Sequence, residues 1–288
     1  MYYLMILTST LMFGGCFLIK DIYRKIRNIG EMEMTFESML IGSSAGLIVL
    51  FAINGFKLQL TLFTFIMALI SMINSFAFTY FSFKALGKIN LSLFSLFSML
   101  GGMLIPFVQG LIFYNEPITI AKILCVIFII VSLLITIVKK EDKKGLIYYI
   151  GVFILNGMSG VISNIFSKSS FPKTSAADFS ICCTLINIIV SGIALIIVFK
   201  NKTHDNKLTF KAGLITGVSG VLDKIANYLL VFALVYVDSS IQYPMVTGGV
   251  IIVSTLACFL TDKKPSKKDL VSVLLAFIGM IILFAVPI

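Results

Sequence analysis

Two adjacent charged residues, Asp223 and Lys224, stand near the middle of an apolar stretch that spans residues 212–236. A charged side chain at the centre of a lipid bilayer costs about 2.5–3.5 kcal/mol on insertion scales, so residues of this kind usually serve a function. If Asp223 faces a cavity, it can bind a cationic group of a substrate or a coupling proton, and Lys224 can line the same cavity. The alternative is a structural pair, in which the two charges neutralise each other or a partner helix and fix its packing.

Polar residues recur around this pair at the spacing of an α-helix. One face of the stretch carries a polar stripe at intervals of three and four residues, formed by Thr216, Ser219, Gly220, Asp223 and Asn227. Lys224 and Tyr228 lie four residues apart on the neighbouring face. Adjacent residues point about 100° apart on a helix, so Asp223 and Lys224 are able to address different helices.

Three other apolar stretches hold uncharged polar groups that are costly in lipid, and we take them as further candidates for a substrate site. In the last of them, Pro244 leaves a backbone carbonyl without its helical donor, and broken backbone in a membrane is tolerated mainly where it lines a cavity. Close helix packing is the alternative for each of these groups. The predicted substrate-binding set is Asp223, Lys224, Asn227, Tyr228, Asn74, Tyr80, Asn156, Asn164, Gln242 and Tyr243.

These residues must be positioned by membrane-spanning helices, because the chain has too little charge to cover a water-exposed surface. Of its 288 residues, 59% are hydrophobic and 12% are charged, and the mean hydropathy is +1.06. A helix needs roughly 20 mostly apolar residues to cross the hydrocarbon core. The sequence therefore predicts an all-α membrane protein with ten transmembrane helices, at residues 2–19, 34–54, 61–83, 90–113, 118–138, 146–167, 177–199, 212–236, 239–261 and 269–287.

The ten predicted helices divide into two halves of five, residues 1–144 and 145–288. Sliding the chain by 148 residues pairs identical residues such as Gly101 with Gly249, and in each half a proline opens the fifth helix. Since five is an odd number of crossings, the two halves must have opposite orientations. Inverted five-helix repeats of this kind build many secondary transporters, with the substrate site near the midplane where the repeats meet.

The net charge of +10 comes mainly from basic residues in the short loops between apolar segments. That placement suits lipid headgroups and orientation signals, so the lipid bilayer is an expected partner and nucleic acid is not. Of the 23 basic residues, 18 follow odd-numbered helices, including Lys20 after the first, and 4 lie on the other side. Under the positive-inside rule, this bias places both termini outside. The first helix lacks a charged leader and a cleavage site, and is predicted to be retained.

The usage of cysteine and histidine argues against disulfide and metal chemistry. The only histidine, His204, lies in a polar loop. All five cysteines fall inside apolar segments, as small hydrophobic residues do: Cys16, Cys125, Cys182, Cys183 and Cys258. No metal and no cofactor are therefore expected.

Short motifs along the chain resemble those of the drug/metabolite transporter superfamily, in its ten-helix EamA-like branch. They are Phe13-Gly14-Gly15 through Lys20 in the first helix, Ala85-Leu86 closing the third, Pro106 in the fourth, Asn115-Glu116-Pro117-Ile118 at the turn into the fifth, and Ala233-Leu234 and Lys264-Pro265 in the second half. The chain departs from the family in having Phe13 where a tryptophan is usual. The resemblance implies cytoplasmic termini, against the charge bias, and the orientation stays open.

The resemblance implies a secondary transporter whose central cavity is lined by helices of both repeats. We therefore expect alternating-access transport of a small polar metabolite or drug across the plasma membrane, driven by a proton or by exchange, in a monomer or a homodimer. An ATP-driven pump is disfavoured, because the sequence has no phosphate-binding G-x-x-x-x-G-K-[ST] loop. The alternatives are an intramembrane enzyme acting on a lipid-linked substrate, which a single mid-helix carboxylate fits poorly, and a non-transporting membrane scaffold. No enzymatic activity is predicted.

Overall fold

The computed structural model describes residues 1–27, 29–113, 119–137, 143–200, 208–233, 236–237, 239–261 and 264–285. These residues form ten helices and no strand, which confirms the predicted all-α fold. In chain order the helices are α1 (Tyr2–Arg27), α2 (Glu31–Ile53), α3 (Leu62–Lys88), α4 (Leu91–Phe113), α5 (Ile120–Ile137), α6 (Lys143–Lys168), α7 (Ala176–Lys200), α8 (Phe210–Ala233), α9 (Ser239–Cys258) and α10 (Lys267–Ala285).

The largest difference from the predicted helices is at the end of α1, which continues to Arg27 instead of ending at residue 19. The added turns are polar, but their charges pair within the helix: Asp21 lies 3.3 Å from the Arg24 guanidinium and 3.2 Å from the Lys25 ammonium. Pairs at three and four residues stabilise a helix. Lys20, predicted to lie in a loop, is therefore a helical residue.

Smaller differences occur at other helix ends. Helix α3 continues past residue 83 to Lys88, whereas α8 and α9 each end three residues before the predicted positions. The predicted turn motif at 115–118 and Leu234 lie outside the described residues.

The surface of the bundle suits lipid better than water. Six of the described helical segments are long and apolar enough to cross a membrane: Tyr2–Arg27, Glu31–Ile53, Leu62–Lys88, Leu91–Gly110, Ile147–Lys168 and Ala176–Ile197. Along one face of α1, for example, Leu4, Leu7 and Leu11 are 65%, 52% and 55% exposed. A large exposed apolar surface marks contact with lipid or a partner. The chain is thus a multi-pass helical membrane protein.

The contacts between helices repeat with a shift of five helices. Adding five to both helix numbers of a contact, with α1 following α10, gives another contact of the bundle. Helix α1 packs on α8 as α6 packs on α3, α2 packs on α8 as α7 packs on α3, and α4 packs on α6 as α9 packs on α1. The remaining main contacts join counterparts, namely α2 with α7, α4 with α9, and α5 with α10. Two similar five-helix units related by a two-fold axis would produce these pairings.

Glycines allow the closest helix crossings. Where α2 crosses α8, a Cβ atom at Gly220 would overlap the backbone of Gly42. Where α4 crosses α6, a Cβ atom at Gly101 would overlap the backbone of Phe153. Small residues at membrane helix interfaces let backbones approach in this way, so these two positions fix the separation of their helices.

Each end of the bundle carries a buried polar network. At the end where α1 meets α2, the Arg27 guanidinium donates to both carboxylate oxygens of Glu37, at 2.7 and 2.9 Å, and the Tyr23 hydroxyl donates to the same carboxylate at 2.7 Å. At the opposite end, the Asp178 carboxylate of α7 accepts hydrogen bonds from the Asn54 side chain, at 3.0 Å, and from the backbone of the loop after α2. This second network joins the first five helices to α7.

Candidate functional site

Five helices, α1, α2, α3, α7 and α8, line a cavity of about 170 Å³. Its volume is below the roughly 300–1,000 Å³ that pockets for drug-sized ligands occupy. Three of its described lining residues carry charge: Lys20, Asp223 and Lys224. Six serine and threonine residues add hydroxyl groups to the lining, namely Ser38, Ser43, Ser75, Thr79, Thr216 and Ser219. The cavity can therefore hold a small polar molecule.

The two charges that the sequence singles out both line this cavity. They also pair with each other, since the Lys224 ammonium lies 3.3 Å from the Asp223 carboxylate. The interpretation that they address different helices is thus replaced by a pair within α8 that borders the cavity. The side chain of Asp223 is 43% exposed, so the carboxylate remains open to a ligand while paired.

The neighbours of the pair hold its geometry. The Asn227 amide donates to the carboxylate of Asp223 at 3.3 Å and to its backbone carbonyl at 2.8 Å. On the other side, Gly46 of α2 lies against the stem of Lys224, and a larger residue there would overlap it. The predicted role of Asn227 is therefore indirect in this structure: it orients Asp223 and is not among the cavity-lining residues.

Lys20 is a lining residue that the sequence analysis missed. Its ammonium lies 5.1 Å from the ring centre of Phe78 and 5.8 Å from that of Phe83, within the range of cation–π attraction. No carboxylate of the described residues lies within ion-pair distance of it. The spacing of Phe13, Phe17 and Lys20 continues one helical face, and that signal was sufficient to place the lysine inside the bundle.

Two buried oxygen atoms in the cavity wall have no hydrogen-bond partner among the described residues. They are the hydroxyl oxygen of Thr216 and the amide oxygen of Asn187. Their residues are 5% and 4% exposed. Buried polar atoms in folded proteins are nearly always hydrogen-bonded, so both atoms indicate a site that a ligand or water completes.

Two of the predicted asparagines lie between helices and not on the cavity. The amide of Asn74 donates from α3 to the backbone carbonyl of Leu155, at 3.0 Å, and to the hydroxyl of Ser159, at 2.8 Å. The amide of Asn156 donates from α6 to the carbonyl of Ser98 in α4, at 2.7 Å. Both side chains therefore join α6 to its neighbours in this structure.

Two further predicted residues, Asn164 and Tyr243, meet elsewhere, where α4, α6 and α9 come together. The Asn164 amide donates to Gln109 at 3.4 Å, and the Tyr243 hydroxyl donates to the Asn164 amide oxygen at 3.5 Å. Gln242, the residue before Tyr243, donates instead to the backbone carbonyl of Leu230 in α8, at 2.8 Å. This cluster is separate from the cavity described above.

The other two predicted tyrosines, Tyr80 and Tyr228, contact other side chains and are not among the cavity-lining residues. The Lys84 ammonium lies 5.7 Å from the ring centre of Tyr80, and Tyr228 packs against Phe232 with ring centres 6.2 Å apart.

Within the described residues, no cluster of histidine, cysteine, aspartate or glutamate side chains has the arrangement of a metal site.

Comparisons with known proteins agree with this architecture. Residues 143–285 match the sequence profile of the EamA-like transporter family. A crystal structure with 14% sequence identity aligns over 95% of each chain with a TM-score of 0.63; at that identity the likeness establishes the fold alone. No curated protein matches the sequence. The profile match covers α6 to α10, and with the ten-helix fold it identifies the chain as a member of the EamA-like transporter family, within the drug/metabolite transporter superfamily.

Proposed function

We propose that this protein is a secondary active transporter that carries a small polar metabolite across the plasma membrane by alternating access. The observation that carries the proposal is the cavity between α1, α2 and α3 of the first half and α7 and α8 of the second, with Lys20, Asp223 and Lys224 on its wall. Charged groups within membrane helices mark substrate and ion pathways. The small cavity volume favours a metabolite over a drug.

The helix packing supports a mechanism in which two five-helix units, residues 1–144 and 145–288, move against each other. Contacts that repeat after five helices are expected of inverted repeats, which transport by rocking around a fixed central site. The hydrogen bonds from Asn54 and the loop after α2 to Asp178 join the two units at one end. We propose that these bonds break when the cavity opens to that side, with a proton or a counter-substrate supplying the driving force.

A carrier fits the described cavity better than an intramembrane enzyme does. Such enzymes need paired carboxylates, a nucleophile beside a base, or a metal cluster. Among its described lining residues, Asp223 is the only carboxylate, and none is a histidine. A monomer and a homodimer are both compatible with this mechanism, because one chain contains both units.

The replacement Asp223→Asn tests the proposed site. We expect uptake of an identified substrate into proteoliposomes to fall roughly ten- to hundredfold, since one charge-assisted interaction contributes about 1.5–3 kcal/mol. The pH dependence of uptake should change as well if a proton is coupled at this carboxylate. The conservative variant Asp223→Glu should retain part of the transport. Unchanged uptake and unchanged pH dependence in the asparagine variant would remove Asp223 from the transport site.

The double replacement of Asp223 by asparagine and Lys224 by glutamine separates a transport role from a packing role. If the variant is folded and inserted but transports nothing, the pair belongs to the site. If the variant no longer folds, the pair is needed for the packing of α8. The measurements are size-exclusion chromatography and thermal unfolding in detergent, run on the same preparations as the transport assay.

A further inference from the structure

The charges in the cavity do not balance. Asp223 pairs with Lys224 across 3.3 Å and, beyond ion-pair distance, also attracts Lys20, so that a single carboxylate serves both lysines and compensates the charge of Lys20 only in part. Its ammonium contacts the rings of Phe78 and Phe83, which compensate a positive charge only in part. An uncompensated charge in a low-dielectric site is costly, so a ligand that brings one negative charge would be favoured there.

We propose that the cavity binds a small organic carboxylate, with Lys20 as the anchor of the carboxylate group and Asn187 as the acceptor for a hydrogen-bond donor on the same molecule. This inference rests on the proposed function, because it names the substrate class of that same site. It narrows the substrate class from small polar metabolites to molecules with one carboxylate and, beside it, a hydroxyl or an ammonium group.

The choice of a carboxylate follows from the count of charges. The described lining carries two lysines and one aspartate, a net charge of +1, which the single negative charge of a hydroxy acid neutralises and a dianionic phosphate would over-compensate. A zwitterionic amino acid would compensate Lys20 through its carboxylate and place its ammonium group near Asp223, with the net charge of the site unchanged. The described lining also contains no arginine, the residue whose planar fork suits bidentate phosphate recognition. The unpartnered Thr216 hydroxyl can donate a second hydrogen bond to the carboxylate.

The requirement for a donor follows from the amide oxygen of Asn187. This atom is buried and lacks a partner, and an amide oxygen only accepts hydrogen bonds. A hydroxyl or an ammonium group of the ligand would satisfy it. The exposed carboxylate of Asp223 also lines the cavity and accepts hydrogen bonds, so it is a second acceptor for the same donor.

The test is binding to the full-length purified protein, measured by calorimetry with four probes. Lactate carries a carboxylate and a hydroxyl group, and alanine carries a carboxylate and an ammonium group. In lactamide and alaninamide an uncharged amide replaces the carboxylate. We expect at least one of the two carboxylates to bind. Its amide should bind roughly tenfold more weakly, or weaker still, because the charge-assisted bond to Lys20 is lost. A preference for lactate identifies the donor as a hydroxyl, and a preference for alanine identifies it as an ammonium group.

Variants assign the effect to Lys20. Lys20→Met should weaken binding of the preferred carboxylate roughly ten- to hundredfold, whereas Lys20→Arg, which keeps the charge, should bind within a fewfold of the original. The matched control is Lys88→Met, which removes a lysine that lies over the ring of Tyr148, outside the cavity, and should leave binding unchanged.

Several outcomes would overturn the inference. They are the binding of none of the carboxylates, equal or tighter binding of the amides, and undiminished binding by a folded Lys20→Met variant. The comparison of carboxylates with amides uses the unmodified protein, so it decides the matter even if the variant does not fold. Transport of a molecule without a carboxylate would refute this inference and leave the proposed function intact. A carboxylate that binds but is never transported would refute the proposed function and leave this inference intact.

Discussion

Replacing Gly220 with alanine is expected to lower the free energy of unfolding by about 3 kcal/mol or more, and to abolish transport with it. Overpacking a core usually costs about 1–3 kcal/mol, and the upper end applies here because the added methyl group would overlap the backbone of Gly42. Backbone atoms cannot change rotamer to make room, so α2 and α8 would have to separate. Thermal or denaturant unfolding of the purified protein in detergent measures the effect.

Gly217→Ala is the matched control for this prediction. The position lies three residues earlier on α8, and its added methyl group would be 3.7 Å from the Cβ atom of Ala45, an ordinary van der Waals contact. The control should unfold like the original protein and transport at a similar rate. Equal stability of the two alanine variants would show that the crossing of α2 and α8 is looser than described.

Removing the charge of Glu37 by the replacement Glu37→Gln is expected to lower the free energy of unfolding by about 3–5 kcal/mol. Breaking a buried pair removes the closest compensation of the remaining charge in a low-dielectric environment. The side chains of Arg27 and Glu37 are 5% and 6% exposed and meet at 2.7 Å, so the remaining guanidinium would find little water. Denaturant unfolding in detergent provides the measurement.

Glu31→Gln, at the first residue of the same helix α2, provides the comparison for Glu37. Glu31 pairs with Lys84 at 3.1 Å, but these side chains are 39% and 25% exposed. Exposed pairs contribute about 0–1 kcal/mol, so the loss should be small. A similar loss of stability in both variants would contradict the assignment of the Arg27–Glu37 pair as a buried structural element.

The helix count and the charged pair in α8 were predictable because both depend on local patterns. Ten apolar runs of sufficient length require ten helices in a bilayer, and a charge in the middle of a run is visible without a structure. The end of α1 was predicted wrongly because a polar sequence after an apolar run usually marks a loop. Here the pairs of Asp21 with Arg24 and Lys25 continue the helix and carry Lys20 into the bundle.

The positions of the uncharged polar candidates depend on tertiary contacts that periodicity does not report. Asn74 and Asn156 donate to backbone carbonyls of neighbouring helices, and a sequence does not show which carbonyls will be near. The same limitation applies to Gly220, which the sequence places in a polar stripe and which the structure shows to be a crossing point with Gly42.

In the proposed mechanism, one cavity opens alternately to the two sides of the membrane. The most direct test is the variant Ser75→Cys in a protein whose five native cysteines are replaced, because Ser75 lines the cavity. Sealed proteoliposomes would be treated from inside or outside with a membrane-impermeant methanethiosulfonate reagent, and Ile48→Cys, at a position that is 72% exposed on the bundle surface, serves as the unreactive control. The account predicts labelling of position 75 from both sides, whereas labelling from one side only, or from neither, would contradict it.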